Sequence, residues 1–168
     1  MKNKLIKKIT LTAMLSTLAL LSFMLENLLP PIFFVGARLG LSNIFILISL
    51  IVLGPLYGFG AMLVKVVLGS IFSSNPSIII YSLPSNFLAL TIEYLLIRLK
   101  GKFSIVSISI AGACVSTIIQ NVIFCLIAGS TEYFIYSPYL LLIAVGGGLI
   151  VGLTVYLIIK FIPTKYMI

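Results

Sequence analysis

Few side chains in this 168-residue chain can do acid–base or electrostatic chemistry inside an apolar stretch. Lys65 and Glu93 lie within hydrophobic runs, and Glu26 and Arg38 flank a Pro30-Pro31 turn. A charge at membrane depth is costly and normally faces a partner or a cavity. Lys65 and Glu93 therefore read as a structural ion pair between neighbouring helices, or Lys65 reads as facing an interior ligand cavity; the two readings coexist. Glu26 and Arg38 are candidates to meet across the proline turn. Arg38 otherwise snorkels to the interface or stands at a cavity mouth, attracting an anionic or carboxylate-bearing solute. Asn43, Asn86, Gln120 and Asn121 bring amides to the same depth, as interhelical glue or as ligand contacts.

Absent residues exclude whole classes of chemistry. The chain has no Asp, no His and no Trp, and its three carboxylates are Glu26, Glu93 and Glu132. A Mg²⁺-diphosphate enzyme needs clustered carboxylates, which this scatter does not supply, and a Ser/His/Asp mechanism lacks two of its three members. No G-x-x-x-x-G-K-[ST] phosphate loop occurs, so the chain is not itself expected to be the ATPase of a pump. Cys114 and Cys125 lie in one apolar run and read as small apolar side chains rather than as a zinc site or a disulfide. No catalytic residue, metal site or cofactor is expected.

The elements that must position these residues follow from composition. With 61% hydrophobic and 8% charged residues and a mean hydropathy of +1.30, the chain is built for lipid. A helix crossing a core of roughly 30 Å needs about 20 apolar residues. Six segments qualify or nearly do: residues 9–29, 39–53, 56–72, 78–97, 105–128 and 136–159. Pro30-Pro31 ends the first, Gly54-Pro55 separates the second from the third, and Pro84 is expected to kink the fourth or delay its start. The first segment resembles a signal peptide, but its long apolar run without an A-x-A-like site reads as an uncleaved span. The expected fold is all-α, one compact membrane domain of six transmembrane helices.

Nine of the eleven basic residues form three groups: Lys2, Lys4, Lys7 and Lys8; Arg98, Lys100 and Lys102; and Lys160 and Lys165. With six spans these groups share one side, leaving Arg38 and Glu132 opposite, so both termini are expected in the cytoplasm of a multi-pass cell-membrane protein. Flanking apolar runs as they do, the charges serve topology rather than nucleic-acid binding. Merging the second and third segments would destroy the asymmetry. Small residues add packing or docking faces: Ala13, Ser16 and Thr17 in the first span and Gly146, Gly147, Gly148 and Gly152 in the sixth.

Four strings carry a family resemblance: Gly36-Ala37-Arg38-Leu39-Gly40-Leu41-Ser42-Asn43-Ile44, Lys65-Val66-Val67-Leu68-Gly69-Ser70, Ile110-Ala111-Gly112-Ala113 and Pro138-Tyr139-Leu140-Leu141-Leu142. They resemble the Gx transporter family, also described as heptaprenyl diphosphate synthase component I. That family is similar to the substrate-binding S components of energy-coupling factor (ECF) vitamin transporters, six-helix membrane proteins with cytoplasmic termini. The chain departs from the pattern in having Lys65 where the family has Arg. It also has Ser116 and Thr117 in place of a His-Asn pair before Gln120, and Pro84-Ser85-Asn86 without the family's Gly. The S-component Ala-xxx-Ala docking pattern survives only as Ala13-xxx-Thr17.

The resemblance implies a small-solute-binding subunit driven by separate ATP-binding and membrane coupling subunits. Its expected cavity opens outward, is roofed by residues 29–39 and is lined by Arg38, Asn43, Lys65, Asn86 and Gln120. The alternative is a non-catalytic membrane subunit of a soluble, Asp-rich polyprenyl diphosphate synthase. A third reading, a gradient-driven secondary transporter, would make Glu93 the coupling site.

Overall fold

A computed structural model describes residues 2–28, 40–73, 76–99, 102–129 and 132–161. Six α-helices follow one another, with a short 3-10 turn (Glu132–Tyr136) before the last: α1 Lys2–Leu28, α2 Ser42–Val52, α3 Pro55–Phe72, α4 Ile78–Arg98, α5 Ile105–Ala128 and α6 Ser137–Phe161. Five of them are long and apolar enough to cross a bilayer; α2 is shorter. The chain is thus an all-helical, multi-pass membrane protein with no strand among the described residues. Lipid allows little else, because backbone groups there must be satisfied within the segment.

Local chemistry sets the helix ends. Gly54 adopts φ 103°, open to glycine and strained for other residues, and Pro55 then starts α3 at a position where its missing N–H costs nothing. Ser104 caps α5 by accepting the Ser107 N–H at 3.1 Å, and Gly129 closes the same helix in the left-handed conformation at φ 64°. α1 extends N-terminally beyond its apolar run because Lys and Leu are good helix formers in water as well as in lipid. Pro84 leaves α4 continuous from Ile78. At that turn the Ser85 hydroxyl and the Asn86 amide both donate to the Ser82 carbonyl, at 3.0 and 2.7 Å.

Successive helices fold back as antiparallel hairpins, as their touching residues show. Gly58 packs on Leu50, and these lie four residues either side of Gly54. Asn43 and Lys65, hydrogen-bonded to each other, lie eleven residues either side of it. One continuous helix would hold each pair far apart, so the break at Gly54-Pro55 is a reversal. Tyr81 against Phe124 and Glu93 against Gly112 set the same kind of register between α4 and α5. Asn121 with Ser137, and Ile110 with Gly148, do so between α5 and α6.

The core centres on α2, which contacts α1, α3, α4 and α6. A helix apolar on every side belongs inside a bundle, and Ile44, Ile46, Leu47, Ile48 and Leu50 are all buried. Ala19, Met62, Val66, Leu90, Val151 and Val155 pack around them. The outward faces of the long helices expose leucine and isoleucine, as at Leu18, Leu25, Ile71 and Leu126, which suits contact with acyl chains.

Gly148 and Gly152 let α6 approach α5 backbone to backbone: a Cβ on Gly148 would stand 2.8 Å from Ile110 Cα, and one on Gly152 2.7 Å from Val106 Cα. Gly152→Leu is therefore expected to destabilise the bundle by about 1–3 kcal/mol in thermal unfolding in detergent. Gly146→Ala, whose methyl meets nothing within 4 Å, is expected to stay within about 0.5 kcal/mol of wild type.

Candidate functional site

α5 carries Ser109, Ala113, Ser116, Thr117, Gln120, Asn121 and Phe124. Their three- and four-residue steps put them on one face, a small-and-polar stripe in an otherwise apolar helix. That face lines a cavity of about 640 Å³, within the range of small-molecule sites. α4 supplies Tyr81, Ser82, Asn86 and Glu93 to the wall, α3 supplies Lys65, and the start of α2 supplies Ser42 and Asn43. The cavity is long. Tyr81 and Glu93 are twelve residues apart on α4, so the walls extend for about 18 Å along the bundle.

Its chemistry changes with depth. Tyr81 and Phe124, edge to face at 6.3 Å between centroids, stand with Tyr136 at the end where α4 begins. Lys65 occupies the middle and is only 6% exposed. Its Nζ donates to Asn43 Oδ1 at 3.0 Å and lies 5.7 Å from the centroid of Phe23. Glu93 forms part of the floor, buried against Gly112, where a Cβ would overlap its carboxyl group. Lys65 and Glu93 line the same cavity. A smaller void of about 20 Å³, room for about one water, lies among Asn43, Asn86, Glu93, Gly112 and Ser116.

The residues expected to cooperate are largely brought together. Asn43, Lys65, Asn86, Gln120, Glu26 and Glu93 all line the one cavity. Arg38 and the expected roof, residues 29–39, lie outside the described residues. Glu26 Oε1 accepts the Leu41 N–H at 2.8 Å and so caps the approach to α2. The α1 trio does not share an open face: Ala13 and Thr17 are exposed, whereas Ser16 is buried and donates to the Thr12 carbonyl at 2.7 Å. The aromatic residues Tyr81, Phe124 and Tyr136 and the floor residue Ser109 were not singled out from sequence. The signal for Ser109 and Phe124 was the periodic stripe on α5, whereas Tyr81 and Tyr136 have no distinguishing local pattern. Among the described residues no group of three His, Cys, Asp or Glu could hold a metal.

The Lys65–Asn43 bond joins α2 to α3 inside the bundle. In a double-mutant cycle with Lys65→Met and Asn43→Leu, the expected coupling is about 1 kcal/mol, at the strong end for polar pairs between membrane helices. Thermal unfolding of the four proteins in one detergent measures it, and purely additive losses would show that the bond contributes nothing.

Comparison with curated proteins and with solved structures returned no match. The family model for heptaprenyl diphosphate synthase component I matches residues 15–158, which takes in every cavity-lining helix. The chain therefore belongs to the heptaprenyl diphosphate synthase component I family.

Proposed function

We propose that this chain is a membrane-embedded binding subunit for a small solute, resembling an ECF S component, and that separate ATP-binding and coupling subunits drive uptake. The observation that carries the reading is the cavity of about 640 Å³, which draws polar side chains from α1 through α5 to one place inside a lipid-facing bundle. Polar groups held in an apolar bundle are expensive unless they serve packing or a ligand. Here Lys65 bonds Asn43 and Asn121 bonds Ser137 between helices, and these groups, with Ser116, Thr117 and Gln120, also border a space. In this reading the aromatic end opens outward, residues 29–39 including Arg38 roof it, and both termini are cytoplasmic. Asn43, Lys65, Asn86 and Gln120 contact the solute. The exposed Ala13 and Thr17 on α1 belong to the face toward the coupling subunit.

The family's description favours a second reading, a non-catalytic membrane partner of a polyprenyl diphosphate synthase. Three scattered Glu and no Asp suit an accessory role, since the metal-binding carboxylates such a reaction needs would come from the partner.

Gentle extraction of the tagged chain from its native membrane separates the two. Co-isolation of ATP-binding and coupling subunits, with uptake in vesicles that requires ATP, is the expected result. Uptake that survives ATP depletion but collapses with an ionophore would replace this reading with gradient-driven transport. Isolation with a soluble synthase whose product length or rate changes when the chain is added would establish the second reading; unchanged length and rate would remove it.

A further inference from the structure

Six cations among the described residues stand at one end of the bundle. Lys4, Lys7 and Lys8 open α1, Arg98 closes α4, Lys102 precedes α5 and Lys160 lies in the last turn of α6. Packing brings these helix ends to the same side. Lys8 meets Tyr57, so α1 and α3 start together, and Phe23 against Gly69 keeps them side by side toward the far end. Phe59 against Phe87 runs α4 back along α3, and Val106 against Gly152 puts the last turns of α6 beside the start of α5.

No side-chain carboxylate of the chain is placed to neutralise this end. Of the three Glu, Glu26 lies near the far end of α1, Glu132 begins the 3-10 turn that joins α5 to α6 at that far end, and Glu93 is buried against Gly112. Two of the cations are held by aromatic rings instead. Lys8 Nζ lies 5.6 Å from the centroid of Tyr57, and Arg98 Cζ lies 5.1 Å from that of Tyr94. A ring face attracts a cation but carries no net charge, so these contacts position the two side chains without cancelling their charge. Like charges gathered at one end repel, and the counter-charge must come from outside the chain.

The neighbouring side chains indicate what carries it. α1 has 27 residues, about 40 Å of helix against a hydrocarbon core of roughly 30 Å. Its lysine-bearing turns therefore reach the headgroup layer. Exposed apolar side chains stand among the cations: Leu5, Ile6 and Ile9 on α1, Leu99 beside Arg98, and Phe161 beside Lys160. A soluble acidic protein would answer the charges and leave these groups uncovered. An anionic phospholipid answers both, presenting its phosphate and the top of its acyl chains together.

We propose that this end of the bundle is a binding surface for anionic phospholipid, with Lys8 and Arg98, each held on a tyrosine ring, as its phosphate contacts. Lys4, Lys102 and Lys160 extend the positive field around them. None of these residues lines the cavity, so the surface does not depend on what fills it.

Thermal unfolding of the purified full chain in one non-ionic detergent tests this with four additives: phosphatidylglycerol, phosphatidylcholine with the same acyl chains, inorganic phosphate and polyglutamate. Phosphatidylglycerol is expected to raise the midpoint by about 4 °C more than phosphatidylcholine does, and phosphate to leave it unchanged. Salt at molar strength should remove most of that margin, because the contacts are exposed to solvent. Lys8→Gln with Arg98→Gln is expected to lose most of it at low salt. If that protein does not fold, Lys4→Gln with Lys102→Gln and Lys160→Gln, all at exposed positions, is expected to lose about half. Equal shifts with the two lipids, or a margin undiminished in both variants, would overturn the proposal. A phosphate shift matching that of phosphatidylglycerol would make this a site for free anions, and stabilisation by polyglutamate in place of the lipid would make it a docking face for an acidic protein; either result overturns the lipid surface.

Discussion

An ammonium group enclosed by membrane helices must find its partners within the protein, and this requirement at Lys65 organises the structure. Its partner Asn43 comes from a helix that runs the opposite way, so the bond forms only if the chain reverses at a defined residue. Gly54, with a backbone angle open to glycine, and Pro55, which starts the next helix, make that reversal. With eleven residues on each side of the turn, Asn43 and Lys65 meet at about 16 Å from it, half the thickness of the hydrocarbon core. α2 therefore starts at the polar cavity, and its short length follows from that position.

Glycine permits the rest of the cavity by what it leaves out. Gly148 and Gly152 draw α6 onto α5, while Gly112 leaves room for the Glu93 carboxyl between α4 and α5. The same three helices are thus closely packed at one end and separated by polar side chains toward the other. Beside Pro84 the Ser82 carbonyl accepts from both Ser85 and Asn86. Pro84 removes the N–H that would bond the Ile80 carbonyl, and α4 nevertheless runs on through it.

The family's description speaks of a diphosphate synthase, whereas the reading proposed above makes the cavity a solute site. The two are reconciled if description and cavity concern different surfaces. A synthase partner would engage the outside of the bundle. Among the described lining residues the cavity would still be defined by amides, hydroxyls, an ammonium and carboxyl groups.

By itself the sequence determined the helical membrane fold, the split at Gly54-Pro55 and most ends of the long helices, though α1 starts at Lys2, ahead of its apolar run. These depend on hydropathy, on helix-breaking residues and on the distribution of charge, all local or cumulative along the chain. It also drew attention to Lys65, Glu93 and the buried amides, because polar groups in apolar runs stand out one by one. Tertiary structure decided how these residues combine. Lys65 read as a partner of Glu93 or as facing a cavity; it lines one cavity with Glu93 and also donates to Asn43, a neighbour created by the α2–α3 reversal. Glu26 read as a partner for Arg38, which lies outside the described residues, and it caps the Leu41 N–H. Tyr81 and Tyr136 are ordinary aromatic residues in sequence and become part of the wall only when α4 and the 3-10 turn stand beside α5. The reason is physical: apolar periodicity records that a face is turned away from lipid, while the register between helices, set by glycine contacts and turn lengths, chooses which groups share that interior.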